Sequence, residues 1–361
     1  MVFRRPVAIA VMLVVSALSL PFPAHAAYRF MGTDLYGTDR VGAADLESKF
    51  GDPIRLYFKK RTQPSGKAAE KEAEALKRRI EVAIRKAWGF EWVRLTWMEY
   101  FKQGDNNVHV TIDVLEPRDA KTRMPFRQAP RKSYPDPSRL LETWSRYLET
   151  GWALVRRGEI SSDRADCPAF HCVWGDQNQE LRELQDHLIR MVPSNRQALE
   201  RILAEDKTPS RRANAAYALA YIGDGNELSR RLQGALLDPD IEVRAAAMQI
   251  YSDIAIHHPD VYLPVEHLGA ALHYPTVEDR SKALAVMLAL ADRKEHRRYM
   301  LLHAASPLLR LLRSGQPATR DMAYAVLGVL SKQDFPRDRF EAWDEWVQKE
   351  RARLRSDEPA P

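Results

Sequence analysis

The two cysteines of the chain, Cys167 and Cys172, lie five positions apart with His171 between them. Two cysteines at close spacing can form a disulfide or supply a redox-active thiol. Together with a histidine they can also bind zinc. The spacing excludes a thioredoxin-type C-x-x-C pair. It also excludes a c-type haem site, which needs two residues between the cysteines and a histidine directly after the second. A zinc site that adds His187 as a fourth ligand remains open, although structural zinc usually has a second closely spaced ligand pair.

The first 26 residues have the three parts of an export signal. Arg4 and Arg5 form a charged start, residues 7–20 are apolar, and Ala24 and Ala26 form an A-x-A cleavage pattern. A retained membrane anchor is the alternative, but the apolar stretch has 14 residues and a spanning helix needs about 18 or more. We therefore predict a cleaved signal peptide, a mature chain without a membrane span, and a periplasmic location, with secretion as the alternative.

Export defines the redox environment of the cysteines. In an oxidising compartment, Cys167 and Cys172 are predicted to form a short disulfide loop. The remaining histidines that could suggest a metal fall on different predicted helices or loop ends without ligand spacing. These are His257, His258, His267, His273, His296 and His303. The sequence predicts no metal site and no cofactor.

Common catalytic motifs do not occur in the sequence. It contains no G-x-S-x-G, no H-E-x-x-H, no phosphate-binding loop and no dinucleotide fingerprint. Carboxylate pairs could be chosen among 49 acidic residues, but without a cleft no pair is favoured. We predict a non-enzymatic protein with no catalytic residues.

Composition excludes further classes of protein. A chain of 361 residues that is 45% hydrophobic and 29% charged is typical of a globular protein with about two domains. Residues 1–26 hold two arginines and no acid, so without them 53 Lys and Arg face 49 Asp and Glu, a net charge of +4. Because the basic residues are interleaved with acids, this excess does not indicate a nucleic-acid partner.

Residues 27–116 are predicted to form a small α+β domain. The chain order is a strand at residues 28–31, a short helix at 45–50 closed by Gly51, a helix at 67–88, a strand at 92–101 and a return strand at 108–114. The second helix has one apolar face. Its opposite face is charged, and favourable i,i+4 spacing pairs Glu74 with Arg78 and Glu81 with Arg85, which indicates a solvated surface.

The return strand alternates between apolar and polar residues. Four aliphatic residues from Val108 to Val114 point to one face, while His109, Thr111 and Asp113 point to the other. This pattern predicts a sheet with one face buried under helices and one face exposed to water.

Three short segments of this domain resemble a POTRA domain, the polypeptide-transport-associated module of bacterial envelope proteins. They are Phe30-Met31-Gly32, Gly89-Phe90 with Val93, and residues 108–116. The resemblance implies a protein-binding module whose strand edge and helix groove accept a partner's strand. POTRA domains usually occur in tandem before an outer-membrane barrel or an anchor. One copy with neither follower puts a direct role in threading barrel substrates in doubt.

Residues 117–195 are predicted to connect two modules. Five prolines between residues 117 and 137 favour an extended linker that leaves the angle between the modules open. Asp136 and Pro137 predict the start of a helix that ends near Gly158, and the cysteine loop follows.

A repeated pattern fills residues 196–352. Arg-x-x-Ala recurs at Arg212, Arg244, Arg280 and Arg320, at intervals of 32, 36 and 40 residues, and a proline precedes each of these arginines within five residues. The four sets are Pro209, Arg212 and Ala215; Pro239, Arg244 and Ala247; Pro275, Arg280 and Ala283; and Pro317, Arg320 and Ala323. Proline is favoured at a helix start, so each set marks a first helix, and an amphipathic partner helix follows each one.

Residues 238–247, Asp-Pro-Asp-Ile-Glu-Val-Arg-Ala-Ala-Ala, resemble the D-P-x-x-x-V-R-x-x-A start of a HEAT repeat. The resemblance implies an α-solenoid of helical hairpins with an extended protein-binding surface. Its small alanines let helices approach, and its arginines satisfy carbonyls or acids of the next repeat, so these positions are structural. Residues 353–361 are predicted to be a disordered tail.

The sequence as a whole predicts an α+β multidomain protein that is mainly α-helical. The expected function is an exported scaffold or adaptor that binds other envelope or secreted proteins and no nucleic acid. The alternative is an extracytoplasmic enzyme or ligand-binding protein with its site near His171 at the domain junction, which a deep polar pocket would favour. A third hypothesis is a purely structural spacer.

Overall fold

A computed structural model of the chain describes residues 28–63, 66–102, 105–160, 167–175 and 178–356. The structure is mainly helical, with a small mixed sheet near the N-terminus. Within the described ranges, no helix combines the length and the apolar character needed to cross a membrane. The predicted signal peptide, including Ala24 and Ala26, lies outside the described residues.

The N-terminal module has the predicted order of strands and helices. It consists of β1 (Tyr28–Tyr36), α1 (Ala43–Thr62), α2 (Lys67–Trp88), β2 (Trp92–Lys102) and β3 (Asp105–Leu115). The strand order in the sheet is β1-β3-β2, with β1 parallel and β2 antiparallel to β3. Apolar residues of α1 and α2, including Leu46, Ile54, Ile80 and Ile84, pack on one face of this sheet against the strand residues Leu95, Val110 and Ile112.

The first helix is longer than predicted. Gly51 does not end it, and α1 continues through Pro53 to Thr62. The reason is packing, because Ile54 and Tyr57 extend the buried face of the helix beyond the glycine.

The predicted water-exposed face of the sheet is buried, so that prediction was wrong. His109 is 7% exposed and Thr111 and Asp113 are fully buried. These polar side chains point to a second layer of protein rather than to solvent. This layer is the helical part of the chain.

The connecting segment, residues 117–136, is not a free linker. It begins with a 3-10 turn and the short helix α3 (Ala120–Arg123) and then runs extended. The Arg127 N–H donates to the Leu237 carbonyl at 2.9 Å, and the Lys207 N–H donates to the Lys132 carbonyl at 2.6 Å. These bonds hold the segment along the helical part of the chain.

The helical part contains two rows of helices. The elements are α4 (Leu140–Arg156), α5 (Gln179–Glu205), α6 (Pro209–Leu219), α7 (Gly225–Leu232), α8 (Ile241–His257), α9 (Val265–Ala270), α10 (Val277–Leu290), α11 (Lys294–Tyr299), α12 (Ala305–Leu312), α13 (Pro317–Ser331) and α14 (Phe340–Ser356). Helices α4, α6, α8, α10 and α13 pack side by side in that order, and the intervening helices form the second row.

Three predicted boundaries differ from the structure. The predicted division between residues 195 and 196 falls inside α5, a continuous helix that contains Pro193. The rows begin earlier than predicted, because α4 and α5 pack against α6. Helix α14 continues to Ser356, so residues 353–356 of the predicted tail are helical, and residues 357–361 lie outside the described residues.

Helix α4 shows how a proline and an aspartate start an element. Asp136 was predicted as the N-cap, and its carboxylate accepts from the N–H groups of Leu141 and Glu142, each at 3.0 Å. A turn over Pro137–Arg139 separates it from the α-helix. The aspartate therefore caps α4 from one turn further away than predicted.

Candidate functional site

A row of buried arginines begins the helices α6, α8 and α10. Arg212, Arg244 and Arg280 are each at most 2% exposed. Each guanidinium donates to a carbonyl six residues earlier, which is Asp206 at 2.8 Å, Asp238 at 2.8 Å and Tyr274 at 3.1 Å, in that order. The repeated arginine therefore ties the start of each helix to the chain that leads into it.

The same arginines bind buried carboxylates. Asp238 takes two hydrogen bonds from Arg212, at 2.9 and 2.7 Å. Asp279 takes two from Arg244, at 3.0 and 2.7 Å. Each carboxylate comes from the start of the next helix in the first row, so each ion pair joins two neighbouring helices.

Arg280 receives its carboxylate from outside the helical part. Its Nη2 donates at 2.6 Å to Asp113, which lies in strand β3 of the N-terminal sheet. Asp113 also accepts from the Val277 N–H at 2.7 Å. Burial raises the pKa of Asp113 to about 6, and the nearby Arg280 guanidinium lowers it only in part. Asp113 of the sheet thus binds Arg280 as Asp238 and Asp279 bind the two preceding arginines.

The fourth arginine of the pattern, Arg320, is different. Its side chain is 29% exposed, and its Nε lies 3.5 Å from Oδ1 of the adjacent Asp321.

The prolines of the pattern lie at or just before helix starts, and its alanines lie in the core. Pro209 and Pro317 begin α6 and α13, while Pro239 and Pro275 lie two residues before α8 and α10. Ala215, Ala247, Ala283 and Ala323 are fully buried.

Further polar contacts join the sheet to α10 and α13. Arg94 of β2 pairs with Glu278 at 3.1 Å. Asp34 of β1 accepts from the Ser314 hydroxyl at 2.9 Å and from the Gly315 N–H at 3.1 Å. All three strands of the sheet therefore contact either the N-terminal end of α10 or the loop that leads into α13, and the polar strand face is an interface.

The connecting segment covers the preceding helix starts. Arg127 donates to Asp238 at 2.6 Å, so this carboxylate binds two arginines. The ring of Phe126 packs against Tyr274 at 5.0 Å between centroids, with the Arg244 guanidinium 3.9 Å above it. One continuous interface thus runs from the connecting segment to the sheet.

Cys167 and Cys172 lie at disulfide distance, with Cα atoms 5.7 Å apart. The loop that they close is anchored in the helical rows. The Phe170 N–H donates to the Ala220 carbonyl at 3.1 Å, and the Phe170 ring contacts His258 at 4.8 Å between centroids. The loop is therefore tied to the C-terminal ends of α6 and α8.

His171 is 3% exposed and bonds to Asp253 of α8 through Nδ1. Its ring stacks on Tyr217 at 4.9 Å and lies 5.8 Å from Trp144. The surroundings of His171 are thus a packed aromatic junction between α4, α6 and α8. The alternative hypothesis placed this residue at the domain junction, but the sheet contacts α10 and α13 instead.

The zinc alternative does not gain support from the geometry. His187, the suggested fourth ligand, bonds to the Ser138 carbonyl at 2.9 Å, and His273 accepts a hydrogen bond from Arg310 at 3.1 Å. Across the part of the chain that the structure describes, no three His, Cys, Asp or Glu side chains are placed to hold a metal ion.

Some residues of the interface were not found from the sequence. Asp238 and Asp279 precede a proline and an arginine of the pattern, so a search for acids at the helix starts would have found them. The sequence around Asp113 gave no such indication, because the polar residues of an alternating strand are normally exposed. Lys282 of α10 was also missed. Burial lowers its pKa to about 8, and its Nζ donates to Gln249 at 3.2 Å.

No protein-family model matches this sequence, and no curated protein is a significant relative of it.

Proposed function

We propose that this protein is an exported, non-enzymatic scaffold of the bacterial envelope that binds other proteins. In this proposal the N-terminal module is a POTRA-like docking domain, and the two rows of helices are a HEAT-like solenoid. The observation that carries the proposal is the open edge of strand β2.

The strand order β1-β3-β2 places β2 at an edge of the sheet. The Leu95 N–H donates at 2.9 Å to the Glu81 carboxylate of α2, so it points away from β3. Because N–H groups alternate in direction along a strand, those of Trp97 and Glu99 point to the same open side. An extended segment of a partner could pair with this edge by β-augmentation.

The helical rows support the second half of the proposal. Side-by-side first helices, joined by Arg212–Asp238 and Arg244–Asp279, are the arrangement expected of stacked repeats that contact only their neighbours. The export-signal pattern of residues 1–26 and the cysteine pair support an oxidising compartment outside the cytoplasm.

The interface between the sheet and α10 adds a specific property to the scaffold. A buried ion pair between Asp113 and Arg280 and the Arg94–Glu278 pair fix the orientation of the sheet on the helices. In this proposal a partner held by β2 is presented to the helical surface in one geometry rather than on a flexible tether.

The test is affinity capture after cross-linking in cells, using the protein in its native envelope. Glu99→Pro removes an outward N–H of β2, while Glu99→Ala removes the same side chain and keeps the N–H. We expect the wild type and Glu99→Ala to capture the same envelope proteins. Glu99→Pro should capture about tenfold less of them. Equal capture by both variants contradicts docking at the edge. If the wild type enriches no protein, the scaffold proposal fails and a structural spacer is favoured.

A further inference from the structure

The outer face of α2 is not the evenly charged surface that its sequence predicts. Val82 is 51% exposed on this face, and Ala83 beside it is also exposed. Apolar residues on the solvent side of a charged helix have no role in the core of their own domain. Their exposure is consistent with a contact surface.

The predicted Glu81–Arg85 ion pair of α2 is replaced by other contacts. Glu81 accepts from the Leu95 N–H, and Arg85 donates to the Phe90 carbonyl at 3.3 Å. Within the described ranges, no ion pair joins Arg78, Arg79 or Lys86 to an acid. These three cations are therefore not held in ion pairs with the described acids and can bind carboxylates from outside.

Exposed residues of this face, with the half-buried Ala75, form two parallel ridges with helical spacing. Residues 78, 82 and 86 are four apart and make the first ridge, which is Arg-Val-Lys. Residues 75, 79 and 83 make the second ridge, which is Ala-Arg-Ala. A shallow groove is lined by these six residues, half of them apolar, half of them basic and none of them acidic. We call this surface the α2 groove.

Ridges spaced by four residues are the surface that one helix offers to another. A second helix places its own ridge between them at a crossing angle of about −50°. The small side chains of Ala75 and Ala83 permit a close approach, and Val82 supplies an apolar contact. The unpaired cations at the sides favour carboxylates on the approaching helix.

We propose that the α2 groove binds an amphipathic, acidic helix of a partner protein. This inference rests on the proposed scaffold function and names a class of partner for it. An anionic lipid surface has the same sign of charge, but it gains nothing from two ridges with alanines between the cations. The ridge geometry therefore favours a helix.

The binding experiment uses the protein purified in the processed form that the cell produces. The probe is a fluorescent synthetic helix of about 18 residues with a Leu/Ala stripe flanked by glutamates. A matched peptide has lysine at every glutamate position. Vesicles of phosphatidylglycerol in phosphatidylcholine form a separate arm. We expect the acidic peptide to bind and the lysine peptide not to bind.

Two variants locate the contact. Charge reversal by Arg78→Glu with Arg79→Glu should weaken binding of the acidic peptide about tenfold. The same double reversal on exposed arginines of α5 in the helical part, Arg182→Glu with Arg190→Glu, should change binding by less than about twofold. Equal loss in both variants shows a nonspecific effect of net charge and overturns the proposal.

Ala83→Arg separates groove docking from simple charge attraction. The larger side chain blocks the close approach of a helix while it adds a positive charge. We expect this variant to bind the acidic peptide at least about fivefold more weakly. Tighter binding, or stronger binding to the vesicles than to the peptide, overturns the proposal in favour of a general anionic surface. Absence of peptide binding to the wild type also overturns it.

Failure here is distinguishable from failure of the scaffold function. If the charge-reversed variant captures the same envelope proteins as the wild type while Glu99→Pro loses them, the α2 groove is not used and the scaffold proposal stands. If capture fails for every form of the protein, the scaffold proposal itself fails.

Discussion

Asp113 of strand β3 gives Arg280 of helix α10 the carboxylate that the two preceding arginines of the row receive from a neighbouring helix. The two side chains meet at 2.6 Å, and each is at most 1% exposed. A sequence pattern that begins in the helical part is therefore completed by the N-terminal sheet. The two modules are consequently joined by a buried charge pair in addition to the connecting segment.

This relationship predicts strong coupling between Asp113 and Arg280. Removing either partner leaves the other charge buried without compensation, so Asp113→Ala and Arg280→Ala should each cost about 3–5 kcal/mol of unfolding free energy. The cost of burying the Asp113 carboxylate is only partly offset by Arg280, because the pKa of Asp113 is still raised to about 6. Asp113→Leu combined with Arg280→Met should therefore cost less than either single alanine variant.

Urea denaturation of the three variants measures this coupling. The control is Asp321→Ala, which removes the acid near Arg320 at a half-exposed site and should change stability by less than about 0.5 kcal/mol. A combined variant as unstable as the sum of both single losses would mean that Asp113 and Arg280 contribute independently.

The sequence predicted most elements of this fold because their periodicity is local. Residues 67–88 were predicted as a helix and form α2 with those bounds. The regular Arg-x-x-Ala spacing predicted the first helices of the rows. The helix that begins near residue 45 is longer than predicted, because the apolar spacing of Ile54 and Tyr57 continues its buried face beyond Gly51.

The interface could not be predicted in the same way. Alternation on β3 distinguishes two faces but does not identify what covers each of them. The alternation predicts a wet polar face because residues of the types of His109, Thr111 and Asp113 are usually solvated. Their burial depends on contacts about 165 residues away in sequence, such as Asp113 with Val277 and Arg280. Only tertiary structure reveals such partners.

Two glycines in helices predict opposite effects of the same substitution. At Gly151 of α4, an added Cβ would overlap the indole of Trp174. Gly151→Ala should therefore displace Trp174 and destabilise the protein by about 1–3 kcal/mol. At Gly328 of α13, a Cβ meets no atom within 4 Å, so Gly328→Ala should stabilise by about 0.5–1 kcal/mol.

Thermal unfolding followed by tryptophan fluorescence compares the two variants. The displaced Trp174 should also redshift the native emission of Gly151→Ala, and the emission of Gly328→Ala should stay unchanged. Equal stabilities for the two variants would show that Trp174 can move away without loss.

His273 predicts a loss of stability in acid. Burial, with the positive charges of Arg310 and Arg123, lowers the pKa of His273 from 6.5 to about 4. The folded protein then binds fewer protons than the unfolded chain between these two values. The contribution of His273 is present above pH 6.5 and is lost as the pH falls towards 4. After allowance for its partial exposure, the loss is about 1–2 kcal/mol.

Urea unfolding of the wild type and of His273→Gln at pH 7.5 and pH 4.5 measures this loss. The stability of the wild type relative to His273→Gln should fall by that amount on acidification. Arg310→Gln, which removes the donor to Nδ1, should reduce the fall. A constant difference between wild type and variant at both pH values would refute the assignment.

The disulfide predicts a local and measurable stabilisation. Closing the short loop between Cys167 and Cys172 restricts the unfolded chain by about 2 kcal/mol in the chain-entropy account. Reduction should lower the unfolding free energy by about this amount. It should also speed hydrogen exchange of the Phe170 amide, which bonds to the Ala220 carbonyl. Cys167→Ala combined with Cys172→Ala should reproduce the loss and no longer respond to the reductant. If reduction leaves both quantities unchanged, the contacts of His171 and Phe170 hold the loop without the disulfide, and its stabilising role is refuted.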